Sequence, residues 1–146
     1  MSEGTATLLH VEPTTEDEVR DWLHARGVRV LEVQTPRNMW GAYSLHRGIV
    51  YLRAGMPVHF RVPTLLHEAV HVSRRHEGHQ NAAVERYIDE VVARRLIDPI
   101  DYAWAETQVG NHTAGLAAEL EVPKWVIRAY RRVLVKDVGG LLRSQR

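Results

Sequence analysis

Thr64-Leu65-Leu66-His67-Glu68-Ala69-Val70-His71, followed fourteen residues later by Glu85-Arg86-Tyr87-Ile88-Asp89, is the stretch on which the reading of this chain turns. On a helix, the H-E-x-x-H pentad puts His67 and His71 one turn apart on the same face, where both can hold one ion. Glu68 then stands about 100° round the helix from His67. It lies beside the ion and not on it, so its carboxylate is placed to act as a base on water. Two imidazoles and one carboxylate leave a fourth position open to solvent, a set that fits zinc best. The pattern points to a zinc hydrolase.

The ordinary reading of such a pentad is a surface helix carrying two solvated imidazoles, and the flanking residues argue against it. Leu65 and Leu66 precede the motif, and Val70 and Val72 interrupt its polar face, as a half-buried helix requires. Residues 81–96 read as a second helix, with Val84, Ile88, Val91, Val92 and Leu96 as its apolar stripe and Asn81 as its cap. Glu85 and Asp89 lie one turn apart beside that stripe. Glu85 can supply the third ligand, and Asp89 can accept the free ring N–H of a ligating histidine, His67 being the first choice. His76 and His79 are rivals for the third ligand, because imidazole suits zinc equally well. The plainer alternative pairs Glu85 and Asp89 with Arg86, Arg94 or Arg95 on a solvated face.

A chain of 146 residues is long enough for a core without staples, and it holds no cysteine, which excludes disulfides and thiolate metal sites. No apolar run has the length of a membrane span, and residues 1–18 are acidic where a signal peptide would be basic, so the expectation is a soluble, cytoplasmic protein. Net charge is near zero but unevenly spread. Residues 1–25 carry six acids against Arg20, while residues 122–146 carry Lys124, Arg128, Arg131, Arg132, Lys136, Arg143 and Arg146 against Asp137. Such a basic end contacts nucleic acid or an acidic partner, or is a solvated helix face with a loose tail.

Working outward, residues 16–26 read as a helix capped by Thr14 or Thr15 and stopped by Gly27. Residues 28–33, 40–45 and 48–53 read as strands, giving a small sheet ahead of the zinc helix, which starts near Pro63 or slightly earlier. Residues 75–80 are a loop, Pro99 ends the second helix, and residues 101–108 form another. Residues 113–120 and 123–134 then form a helix pair across Glu121-Val122-Pro123 that resembles a helix-turn-helix. Trp125, Val126, Ala129, Tyr130 and Val133 make the buried stripe of its second helix. They are too apolar for a free reading helix, so they are expected to dock on the zinc domain, with Arg128, Arg131 and Arg132 facing outward.

Taken together, these segments resemble the ImmA/IrrE family of metallopeptidases. The resemblance rests on Gly48-Ile49-Val50-Tyr51-Leu52 leading into Thr64–His71, on Glu85-x-x-Ile88-Asp89-x-x-x-Ala93-x-x-Leu96-x-x-Pro99, and on Leu116-Ala117-x-x-Leu120-x-Val122-Pro123. It covers roughly residues 40–133. The E-x-x-x-D spacing is also that of thermolysin-like peptidases. The chain departs from the family pattern at Val70, where glycine is usual, and at Ile88-Asp89, where Ala-Asn or Ala-Asp is usual.

The resemblance implies an α+β, zincin-like fold, with a small sheet packed on the H-E-x-x-H helix and a mostly helical C-terminal part. It gives one domain over residues 1–146, with a catalytic core over 11–99 and a helical extension over 100–146. It implies a zinc endopeptidase with His67, His71 and Glu85 as ligands and Glu68 as catalytic base, cleaving a helix-turn-helix repressor from a bacterium, a phage or another mobile element. An exposed sheet edge, residues 40–45 or 48–53, would hold the substrate extended, and His112, Tyr43 or Tyr87 would stabilise the oxyanion. Two other classes fit the same residues. One is a regulator with a zincin fold that binds DNA or a repressor without cutting it, and the other is the toxin of a toxin–antitoxin pair.

Overall fold

Ile49–Arg53 lies at the centre of a three-stranded sheet. The structure, a computed structural model, describes residues 13–144, and the part of the acidic N-terminus before Pro13 lies outside them. The chain forms two compact units, one running to Glu85 and the other starting at Arg86. The first contains α1 (Glu16–His24), β1 (Arg29–Val33), β2 (Gly41–Ser44), β3 (Ile49–Arg53) and α2 (Val58–Ser73). Strand order is β1-β3-β2, with β1 parallel and β2 antiparallel to β3. Of the two segments expected to offer an edge to a substrate, residues 48–53 are therefore excluded, because β3 is paired on both sides. Residues 40–45 contain β2, which is paired on one side only among the described residues.

Register explains how the sheet meets the pentad helix. Gly41 stands opposite Leu52 and Tyr43 opposite Val50, so these four share one face. All four are buried. Glu32 of β1, opposite Leu52, is on that face too, and Arg61 of α2 donates to it at 2.8 Å. This face is thus the one that α2 covers. The opposite face is more open, with Leu31 exposed.

Helix α2 begins at Val58, earlier than Pro63, which falls inside it. The proline that marks the start is Pro57, whose carbonyl accepts the Phe60 N–H at 2.9 Å. Pro63 forfeits one backbone hydrogen bond, but it is buried, and apolar contact offsets the loss. Helix α1 is opened by Thr15 in a reciprocal capping box with Glu18. It is tied to α2 by Arg61, which donates to both oxygens of Glu16 at 2.8 and 2.9 Å.

Helix α3 (Ala82–Leu96) supplies Glu85 from its first turn and then runs into the second unit, with α4 (Pro99–Val109), α5 (Thr113–Leu120) and α6 (Lys124–Ser144). Asn81 caps α3 by accepting from Val84 N at 3.0 Å. Pro99 does not end α3 so much as begin α4, with Asp98 as N-cap and the proline in the first turn. Val126, Ala129 and Tyr130 of α6 are buried in a cluster with Ala93, Ile97, Tyr102 and Leu116, and Trp125 packs against it. The apolar stripe of α6 is thus absorbed by the helical unit's own core.

Two expectations about the basic end need correction. The helix does not stop at Leu134 but continues to Ser144, because cross-helix ion pairs hold the added turns. Asp137 receives Arg94 at 2.7 Å, and Lys136 reaches Glu90. Nor do Arg131 and Arg132 face outward with Arg128. Arg131 donates to Thr113 Oγ1 at 2.6 Å and to the Asn111 carbonyl, and Arg132 donates to Glu90 at 2.9 Å. Only Arg128 of the three is exposed. Burial alone would raise the Glu90 carboxyl, but Lys136 and Arg132 outweigh it and hold it below the usual carboxylate range.

The Glu16–Arg61 contact carries a pH signature. Hydrogen bonding from Arg61, with help from Arg20 and against a smaller cost of burial, lowers the Glu16 carboxyl from 4.5 to about 2. A depressed folded-state value means that the contact stabilises fully above 4.5 and fades as pH falls towards about 2. Glu16→Gln should therefore be less stable than the parent in urea at pH 7, with the gap closing steadily below pH 4.5. A gap of constant size across that range would remove Glu16 from the tie between α1 and α2.

Candidate metal centre

His67 and His71 project from successive turns of α2 with ring centroids 5.1 Å apart. Glu85 arrives from the first turn of α3. Its Oε1 lies 2.9 Å from His67 Nε2 and 3.2 Å from His71 Nε2. One ligand atom from each of the three residues falls within 4.8 Å of the others. Atoms each about 2.0–2.1 Å from a tetrahedral zinc lie roughly 3.4 Å from one another, so the two spacings to Glu85 Oε1 are close to those a single ion demands. The donor set, two imidazole nitrogens and a carboxylate oxygen, is one that can hold a metal.

The carboxylate is aimed by the loop before it. Gln80 N–H donates to Glu85 Oε2 at 2.7 Å, which fixes one oxygen and leaves Oε1 turned towards the imidazoles. Burial pushes the Glu85 carboxyl up, but the Gln80 N–H and the imidazoles of His71 and His67 outweigh it, and the net shift is downward. The group is an anion at neutral pH. His71 is shifted the other way from an imidazolium. Burial, against the pull of Glu85, lowers it from 6.5. A neutral imidazole and an ionised carboxylate are the protonation states a metal requires of its ligands.

Exposure around the cluster is graded. The His71 side chain is 3% exposed, while those of His67 and Glu85 are 16% and 22% exposed. One side of the cluster is sealed and the other reaches solvent, which suits a site with an open position. Glu68 is buried on the sheet side of α2. Gly41 of β2 passes so close that a Cβ there would stand 2.8 Å from Thr64 Cγ2, 3.2 Å from the Tyr51 carbonyl and 3.4 Å from Glu68 Cγ. The free-edged strand thus runs directly past the glutamate of the pentad.

His79 is exposed, and His76 sets its Nδ1 2.9 Å from His71 Nδ1, on the side of that ring away from Glu85. Arg94 pairs with Asp137, and Glu85 is occupied as described, so the solvated-face alternative does not describe Glu85. Asp89 lies one turn beyond Glu85 and is half-buried. Tyr43 is buried with Arg75 and Glu77 as its charged neighbours, Tyr87 is exposed on α3, and His112 is the N-cap residue of α5. Val70 is buried in the core of its unit. The residues that the pattern of the sequence did not signal are Gly41 and Gln80. One acts through its missing side chain and the other through its backbone, so neither carries a chemical signature.

No protein-family model matches the chain, and comparison with curated proteins and with solved structures finds no significant match. Among the described residues no helix is long and apolar enough to cross a membrane.

The tight approach of β2 to α2 gives a direct test of this packing. Gly41→Ala forces a methyl against the stiff Thr64 side chain and a backbone carbonyl, and overpacking of this kind costs roughly 1–3 kcal/mol. Urea unfolding should show a loss of that size, and a variant as stable as the parent would mean that β2 can withdraw from Glu68 without penalty.

Proposed function

We propose that the chain is a zinc-dependent endopeptidase of the ImmA/IrrE kind, acting on a helix-turn-helix repressor or a similar regulatory protein. The observation that carries the reading is the convergence of His67 Nε2 and His71 Nε2, on the helix that also bears Glu68, upon Glu85 Oε1, in a cluster whose ligand atoms lie within 4.8 Å of one another. A zinc ion held there would supply Lewis-acid polarisation of the scissile carbonyl and a more acidic water.

The remaining work falls to the chain's own groups. Glu68, offset round the helix from the two imidazoles, takes the proton of the attacking water and delivers it to the leaving amine. Gly41 and its neighbours on β2 offer unpaired backbone groups along which an extended peptide can add as a further strand. This would bring the scissile bond past Glu68. Asp89 is assigned, from its place one turn after Glu85 in the sequence, the role of accepting the distal ring N–H of a ligating histidine. The substrate class comes from the family resemblance, and a partner gene encoding a small helix-turn-helix protein would support it. Reading of DNA by the arginines at 128, 131 and 132 is disfavoured, since Arg131 and Arg132 are engaged within the helical unit and only Arg128 of the three is left exposed for phosphates.

Purified protein should bind about one zinc per chain, with His67→Ala, His71→Ala and Glu85→Ala each losing it in metal analysis. Full retention by Glu85→Ala would remove that residue from the ligand set. Glu68→Gln should bind zinc as the parent does, yet cleave a responsive repressor about 10²–10⁴-fold more slowly. Cleavage at the parental rate, or in the presence of excess chelator, would end the metallopeptidase reading. Asp89→Ala should lose roughly 10–100-fold in zinc affinity or rate without unfolding, and unchanged values for both would make it a surface residue.

A further inference from the structure

The turn that ends α2 brings a third histidine against the site. Ser73 is the last helical residue and Arg74 its C-cap. Arg75 follows in the left-handed region at φ 56, a conformation in which glycine is usual. Arg75 N–H donates to the Val72 carbonyl at 3.1 Å, and His76 N–H donates to the His71 carbonyl at 3.0 Å. These are the two bonds of a Schellman motif, in which the residue after the left-handed position folds back over the one three places before the cap. In most helices an apolar pair occupies those two positions. Here they are His76 and His71, and their Nδ1 atoms meet at 2.9 Å.

Resting on the reading of His67, His71 and Glu85 as a metal centre, we infer that His76 is the positioning residue for His71. It accepts the His71 Nδ1–H and so fixes the tautomer whose Nε2 lone pair points at Glu85 Oε1 and the ion. The geometry permits one proton between two Nδ1 atoms. Because His71 must present a bare Nε2 to a metal, its own proton sits on Nδ1 and His76 is the acceptor. His71 is sealed on its other sides, at 2% exposure for the residue, so His76 is the group that controls its ring orientation from the loop. The helix cap thus serves two purposes: it satisfies the last carbonyls of α2, and it holds a ligand in register.

The test uses the full chain and zinc alone. His76→Asn places an oxygen acceptor where Nδ1 stood, and His76→Leu fills the space with no acceptor. In competition with a zinc-chelating dye, His76→Leu should lose roughly 10–100-fold in affinity, while His76→Asn stays within a few-fold of the parent. Arg75→Gly keeps the left-handed turn and should bind as the parent does, whereas Arg75→Val disfavours that turn and should weaken zinc although His76 is intact. Equal losses in His76→Asn and His76→Leu, or no loss in His76→Leu, would overturn the assignment. A separate measurement needs no variant: nitrogen NMR of the imidazoles in the zinc-loaded parent should show His71 protonated at Nδ1 and coupled to His76. A parent that fails to bind zinc sinks the metal-centre reading. His71 with a bare Nδ1, or with no coupling to His76, in the zinc-loaded parent sinks the role of His76, and the two failures are distinct.

Discussion

The backbone N–H of Gln80 engages one oxygen of Glu85, and the geometry of the site depends on that bond. A glutamate side chain has three rotatable torsions, and two imidazoles alone would not choose among its rotamers. By fixing Oε2 from the loop, the chain leaves Oε1 equidistant, within a few tenths of an ångström, from the nitrogens on α2. The same loop is pinned at its other end by the helix cap at Arg75 and His76, and in the middle by His46 N–H, which donates to Glu77 at 2.9 Å. A segment rich in His and Gly that looks mobile is therefore part of the positioning apparatus, and its backbone does as much as its side chains.

Much of this was legible in the residues. The spacing of His67, His71 and Glu85, the N-cap at Thr15 (one of two threonines that the sequence offers), the Asn81 cap and the three short strands follow from patterns that local chemistry imposes, and they are where the sequence placed them to within a residue or two. What was not legible depends on partners distant in the chain. Whether Ile49–Arg53 is an edge or a centre strand is decided by the parallel pairing with β1, which no local pattern encodes. The end of α6 was set too early because Lys136 and Asp137 read as tail until Glu90 and Arg94 of α3 are seen beside them. The Schellman turn was hidden by its own composition, since an arginine stands where the usual signal is glycine.

The helical unit shows how a count of charges can mislead. The excess of cations in residues 122–146 suggests an electrostatic surface, yet Arg131, Arg132 and Lys136 are spent on cross-helix contacts, and Glu90 sits nearly buried between two of them. A buried carboxylate with two cationic partners contributes more to a defined packing than to affinity for an outside polyanion. The folded structure thus engages three of the seven cations that the sequence advertises there.

Residues 72–84 connect His71 on α2 to Glu85 on α3, and with His67 these two carry the three donor atoms. Any ion bound at those atoms closes this connection into a ring, just as a covalent cross-link would, and it does so only in the folded chain. Conformational stability then becomes a function of the surrounding free-ion concentration, rising by about 2.7 kcal/mol when that concentration reaches a hundred times the dissociation constant. Without the ion, Glu85 is held by the Gln80 N–H of the loop before α3 and faces the two imidazoles directly. Ion supply would thereby govern how long the polypeptide survives as well as whether it can react.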